Sequence, residues 1–501
     1  MPSNKTDNHH NAGGFRSNLL QQKFSSPVMI LFLIAAGIFI SFVTYKAQFL
    51  GLGAILIILI GLPMLYAVVA YPHFGITIFI IFSFYINYVS EVIPDSIPIG
   101  TLLDALTYLL ILGYIIKQRD DNDYSYFKNP ISKLILVWLA YNLLQVANPA
   151  ASSILAWVYT VRTVGFIMLM FFVFSYHIKS TSFIKFILKL WLSLDLIAAI
   201  SAFQQENFGF LPFEKKWLYS DPLRVQLLFI EGHMRKFGTF SDPVTFSYNM
   251  VIGSLICMAL MMGKRNTSKK VMLGMLAAFF LLVMLYSGTR AAYVLIPASL
   301  GILAVINFNK RVLTFTLIGG FFLAVLIVMP TSNPLIKRFQ TAFKPSDDPS
   351  YNVRAENQKR IKPFILSHPF GGGLGSVGIW GRRFAPNSML AKFPPDSGYV
   401  RVAVEMGWMG LILFCTLFFV VLKTGINYYF QIRNPELKNY CMAMILVLFA
   451  FNIGNFPQQA LVQYPSIILF HLATAIIIGC KRIDDAEQKL LQANQADLQL
   501  T

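Results

Sequence analysis

The chain has 501 residues, 56% of them hydrophobic and 13% charged, with a formal net charge of +18 and a mean hydropathy of +0.60. These values exclude a soluble domain built on one core, because apolar runs long enough to cross a hydrocarbon layer of roughly 30 Å recur along the sequence. The expected fold class is an all-α polytopic membrane protein of about 14 (12–14) transmembrane helices, with one large extracytoplasmic loop between the eleventh and twelfth spans.

In chain order, residues 1–26 are polar and lack the basic, apolar, small-residue order of a cleavable signal, so they read as a cytoplasmic tail. Residues 27–329 hold spans one to eleven, near 27–44, 49–71, 75–90, 99–116, 131–147, 158–176, 183–203, 244–262, 271–287, 291–307 and 313–329, with an outward loop at 204–243. Residues 330–395 form the large loop, 396–480 the last three spans (397–422, 439–455, 463–479), and 481–501 a second cytoplasmic tail.

Lys and Arg near span ends are retained in the cytoplasm. One set of short connections carries Lys117, Arg119, Lys179, Lys264, Arg265, Lys310, Lys423 and Lys481, while the alternate set carries only Lys46 and Arg290. Fourteen spans with both termini inside fit that sorting and put 204–243 and 330–395 outside. The four cysteines fall inside spans or at their inner ends, and no histidine pair has ligand spacing on the outer face, so neither a disulfide framework nor a metal is expected. No cofactor and no nucleic-acid partner is expected either.

The loop is the most polar part of the chain. Between Pro330 and Pro395 there are ten Lys or Arg against three acids, a surplus suited to an anionic ligand. Gly373, Gly375 and Gly378 satisfy G-x-G-x-x-G, but no strand precedes them, and they read as a turn. Tyr351–Leu366 reads as an amphipathic surface helix, and Trp380, Phe384 and Phe393 as an aromatic platform for sugar rings or an interfacial belt.

Charges at the outer membrane face are costly and therefore informative. Arg162 precedes a long apolar run, and Arg290 sits in SGTRAAY, a tight turn between two apolar runs. A guanidinium stays charged in a poorly hydrated site and can grip two phosphate oxygens, although either arginine could equally snorkel to headgroups. Asp104 and Asp195 read as packing partners of an arginine or serine on a neighbouring helix, and Glu405 as a helix-to-helix tie.

Taken in order, SGTRAA (Ser287–Ala292), HPFGGGLG (His368–Gly375) and DSGYVRVAVEMGWMG (Asp396–Gly410) resemble the O-antigen ligase and polymerase superfamily. That superfamily has a serine-and-arginine turn, an outward loop with H-P-x-G-x-G-x-G, and a polar residue opening a span that runs into E-x-G-x-x-G. Weaker likenesses lie at Asn148-Pro149 through Arg162 and at Gly238–Pro243, so the resemblance covers most of the chain from about Gly100 to Gly479. Ligases of the superfamily carry histidine where this chain has Asp396, which favours a polymerase.

The resemblance implies a bacterial inner-membrane glycosyltransferase that needs no metal. It would move a glycan from a polyprenyl-diphosphate-linked oligosaccharide to a sugar hydroxyl on the periplasmic side, amid membrane lipids and other polysaccharide-assembly proteins. Arg290 and Arg162, with Arg235 and Arg354 behind them, are the implied diphosphate-binding residues. Asp396 is the implied general base, or else the N-cap of the next span. An O-antigen ligase, a lipid-linked oligosaccharide flippase and a non-catalytic assembly subunit are the alternatives. A flippase would be expected to show repeats and charges near the midplane, whereas no repeat is seen and the arginines cluster at one face.

Overall fold

The computed structural model describes residues 63–93, 99–230, 232–308, 310–332, 334–343 and 349–500, with isolated positions from Leu31 to Gly61. The chain divides into two compact units, 1–70 and 71–501. The first expected span and the beginning of the second lie almost wholly outside the described residues, whereas 63–70, near the end of the second, are helical. The second unit holds the rest of the expected helices and both segments expected to face outward.

The elements of the second unit are α1 (Pro72–Val92), α2 (Ile99–Asp121), α3 (Pro130–Leu144), α4 (Ile154–Val164), α5 (Met170–His177), α6 (Thr181–Asn207), α7 (Pro212–Tyr219) and α8 (Pro222–Leu228). A two-residue hairpin comes next, β1 (Phe229–Ile230) and β2 (His233–Met234), with Phe229 opposite Met234. Then come α9 (Pro243–Met261), α10 (Thr267–Tyr286), α11 (Arg290–Ile306), α12 (Lys310–Val328), α13 (Pro334–Thr341), α14 (Pro349–Ser367) and α15 (Gly378–Phe384). The chain ends in α16 (Gly398–Gln431), α17 (Pro435–Gly454) and α18 (Ser466–Leu500).

Each apolar stretch expected from residue 75 onward falls on a helix. Among the described residues ten helical segments are long and apolar enough to cross a membrane, α4 and α5 forming one of them, and α11 and α12 are shorter apolar helices. Local chemistry sets their starts. Asn129, Asp242 and Asn434 accept backbone N–H groups of the first turn ahead of a proline, whose missing N–H costs nothing there.

The centre of the bundle is α9, α17 and α18, whose apolar stretches are 83%, 72% and 89% buried, against 28–44% for the other long helices. Helices that are apolar all round belong inside. Small residues let them approach: a methyl group at Gly454 would lie 2.8 Å from the Tyr248 ring.

One end of this bundle collects 208–242, the 287–290 turn, 329–397 and 455–465, joined by hydrogen bonds such as Lys236 N to Tyr286 O at 3.0 Å and Gly398 N to Asn455 O at 3.0 Å. The 208–242 segment has its own core of Leu218, Leu228 and Phe237, backed by Phe210 and Trp217. The 330–395 segment has another, Ile361, Val377, Leu390 and Phe393, closed by Val404 of α16.

Several expectations need correction. Part of the apolar surface of α14 is taken up by that small core, through Ile361, Phe364 and Ile365, while Tyr351, Val353 and Leu366 stay exposed. Phe393 belongs to the same core, whereas Trp380 and Phe384 lie against Tyr159, with centroids 4.7 and 5.1 Å away. The three aromatics therefore make no common platform. Asp104 does pair with an arginine, but the carboxylate of Asp195 is fully buried and has no hydrogen-bond partner among the described residues.

Candidate active site

The turn between α10 and α11 is shaped by its own residues. Ser287 Oγ donates to Met284 O at 2.7 Å and accepts Thr289 N at 3.1 Å, and Gly288 takes φ +57°, which a side chain resists. A β-carbon there would also lie 2.9 Å from Arg338 Nε.

Arginines from two other segments grip this turn. The β hairpin ends by delivering Arg235, whose Nε donates to Ser287 O at 2.7 Å and Nη2 to Thr289 Oγ1 at 2.9 Å. From α13, Arg338 Nε donates to Gly288 O at 2.7 Å. Arg290 opens α11 in the same place, and its charge is felt at Arg235. Burial, then the charge of Arg338, pulls the Arg235 guanidinium down to about 10, with Asp242 opposing and Arg290 reinforcing.

Asp242 is the carboxylate that reaches Arg235, and its oxygens are already engaged. Oδ1 caps α9 through Val244 N and Thr245 N at 2.8 and 3.0 Å, while Oδ2 accepts from Thr245 Oγ1 at 2.7 Å. Arg235, Arg290 and Arg338 thus gather at one turn at a membrane helix end, fixed guanidiniums of the kind that can grip an anion with several oxygens. Arg338 is one of the ten basic loop residues, and nothing in its local sequence distinguishes it; its role comes from the fold bringing α13 onto the turn.

Asp396 stands on the neighbouring strut. The cap of α16 is Ser397, whose Oγ accepts Val400 N at 3.5 Å, so the capping role considered for Asp396 belongs to the next residue. Asp396 Oδ2 instead accepts from Asn357 Nδ2 of α14 at 3.4 Å. Asn357 lies one helical turn from Arg354, on the same face. Arg354 and Asp242 both act electrostatically on the hydroxyl of Tyr248, which donates to Gly454 O at 3.1 Å. Asp396, Arg354, Tyr248 and the arginine-gripped turn therefore share one end of the bundle.

Arg162 is placed differently. Its Nε is 3.2 Å from Asp104 Oδ2, with side chains 30% and 12% exposed, and its guanidinium lies 5.4 Å from the Tyr159 ring centroid. It takes no part in the hydrogen bonds around the 287–290 turn, and its charge is partly met by Asp104.

The two glycine motifs form a single lock. Gly407 breaks the helical path of α16 at φ +71°, ψ −178°, and a β-carbon there would sit 1.9 Å from Pro369 O. Gly371, at φ +72°, enters the break, with Gly372 N donating to Val404 O at 2.8 Å and Met409 N to Pro369 O at 3.3 Å. The Glu405 carboxylate accepts the backbone N–H groups of Gly375 and Val377 and pairs with Arg401 Nε at 3.3 Å. Asn148 Nδ2 donates to Phe370 O at 2.8 Å, which explains the Asn148-Pro149 element. Glu405 is thus a tie, as its sequence position suggests, but to the 368–377 loop and not to another membrane helix.

Among the described residues, no three His, Cys, Asp or Glu side chains converge as metal ligands would. Residues 274–415, which include the turn, the loop and the lock, match a protein family described as O-antigen ligase. The chain is also 25% identical over 189 residues to an O-antigen polymerase of Salmonella muenchen, across 36% of this chain and 45% of that protein, so the match spans less than half of the relative. The turn, the glycine loop and the glutamate-glycine break all lie inside the stretch that is similar to this family, and that likeness supports a place in the O-antigen ligase and polymerase superfamily.

Proposed function

We propose that this protein polymerises a surface polysaccharide, taking a glycan from a polyprenyl diphosphate carrier and attaching it to a sugar hydroxyl at the outer face of the bacterial inner membrane. The observation that carries this reading is the gathering of Arg235, Arg290 and Arg338 around one turn, with Asp396 nearby and not used as a cap. In the reaction, the bond between the sugar anomeric carbon and the diphosphate oxygen breaks, its electron pair leaving on the diphosphate. The acceptor oxygen bonds to that carbon from the opposite face, and its proton passes to the Asp396 carboxylate. Charge on the diphosphate grows as the bond breaks, so fixed guanidiniums stabilise the transition state more than the ground state.

Under this reading the 208–242 and 330–395 segments face the periplasm, both termini are cytoplasmic, and fourteen spans carry the site. Arg162, its charge partly met by Asp104, orients the loop through Tyr159 more than it binds phosphate. Arg354 serves the acceptor side, beside Asp396. A ligase remains the second reading, because the matched family is described by that activity. Gel analysis of surface glycan in a deletion strain separates them. Retention of a single repeat unit without long chains supports the polymerase; loss of every chain from the lipid anchor supports the ligase; unchanged glycan refutes both.

A further inference from the structure

At the opposite end of the bundle, α6, α10 and α17 enclose a cleft of about 990 Å³. Lys185, Lys189, Lys264, Arg265 and Lys269 line it, with Glu436 as the one carboxylate among its lining residues. Glu436 is already committed: its Oε1 lies 3.0 Å from Lys185 Nζ and accepts from Tyr440 at 2.6 Å, and Arg265 acts on the same pair. Among the described residues no carboxylate forms an ion pair with Lys189, Lys264 or Lys269. Three cations therefore face a shared space with no paired carboxylate among the described residues.

The walls change character with depth. On α6, Lys185 and Lys189 are followed on the same face by Leu192 and Leu196, and on α10 Lys269 is followed by Met272 and Leu276. The mouth is cationic and the interior is apolar, the same order as a phospholipid's phosphate and acyl chains. A soluble anion would use the mouth and leave the apolar walls wet.

We propose that this cleft binds an anionic phospholipid, with its phosphate held by Lys189, Lys264 and Lys269 and an acyl chain laid along Leu192, Leu196 and Met272. The site is remote from the arginine-gripped turn and does not depend on the transferase reading. The unpaired cations favour anionic over zwitterionic lipid, and the apolar wall favours a lipid over a soluble anion.

The test is native mass spectrometry of the purified full chain with added phosphatidylglycerol or phosphatidylethanolamine, with and without inorganic phosphate. Wild type should retain phosphatidylglycerol preferentially, and the triple variant Lys189→Gln/Lys264→Gln/Lys269→Gln should lose roughly a hundredfold in that affinity. The Lys→Arg triple variant should keep it. Equal retention of the two lipids by wild type, or equal phosphatidylglycerol binding by wild type and the Gln variant, overturns the proposal. Displacement of the lipid by inorganic phosphate would make the ligand a soluble anion and overturn it as well. If the Gln variant cannot be purified, the wild-type lipid preference and its removal by high salt decide.

Discussion

Replacing Gly407 by alanine tests the lock between α16 and the glycine loop. The new methyl group would start 1.9 Å from Pro369 O, more than an ångström inside van der Waals contact, on a backbone at φ +71°, ψ −178° that is essentially restricted to glycine. Strain of that kind costs about 1–3 kcal/mol. Relief of the overlap needs α16 and the loop to part, which breaks Gly372 N to Val404 O and Met409 N to Pro369 O, each worth ~1 kcal/mol. The expected total is about 3–5 kcal/mol. Gly378→Ala is the comparison: its φ is +72°, yet nothing lies within 4 Å of an added β-carbon, so it bears only the backbone strain, about 1–2 kcal/mol. Thermal unfolding of the two purified variants in detergent, monitored by tryptophan fluorescence, should place Gly407→Ala clearly below Gly378→Ala. Equal midpoints would refute the lock.

Further outcomes concern the proposed reaction and its orientation. Arg290→Ala should abolish polymer formed from purified lipid-linked repeat units, with normal protein in the membrane, and Arg290→Lys should rescue poorly because a point charge lacks the paired grip; full activity in Arg290→Ala would remove it from the site. Arg338→Ala should also lower activity, through the loosened turn, while Arg162→Ala should cost less than either. Asp396→Asn should lower the rate ~100-fold or more while leaving the melting temperature unchanged, because Ser397 caps the helix; a near-wild-type rate would exclude Asp396 as the base. Cysteines placed at Ser332 and Asn387 in a background without native cysteines should react with an impermeant thiol reagent from the periplasm, and one at Asn266 should not. Labelling at Asn266 would reverse the orientation.

The helices are legible because lipid-soluble runs and their breaks are properties of adjacent residues. The SGTRAAY turn is legible for the same reason: a serine, a glycine and an arginine between two apolar runs announce a tight polar corner. What the sequence hides is convergence. Arg338 is one of ten basic loop residues and only the docking of α13 singles it out. Sequence alone offers the cap of α16 one residue early, because aspartate and serine are both good caps and their order does not reveal which backbone adopts the cap conformation. The glycine loop reads as an ordinary turn because its partner, the break at Gly407, lies inside what local hydrophobicity describes as continuous helix. Arg162 and Asp104 each stand out as a charge in an apolar setting, yet that they cancel one another is a fact of helix packing alone.

The lock also bears on how the chain is made. Its parts emerge from the ribosome in the order Asn148, the 368–377 loop, then Gly407, so each arriving piece meets a partner already synthesised. The break in α16 is held open by segments that precede it, and a helix freshly released into the bilayer has no reason to bend there by itself. We expect α16 to enter as an unbroken helix and to bend only when the loop already synthesised closes on it. A substitution in the glycine loop would then leave a protein with the full number of spans and a correctly sorted set of charges, inserted but unfinished.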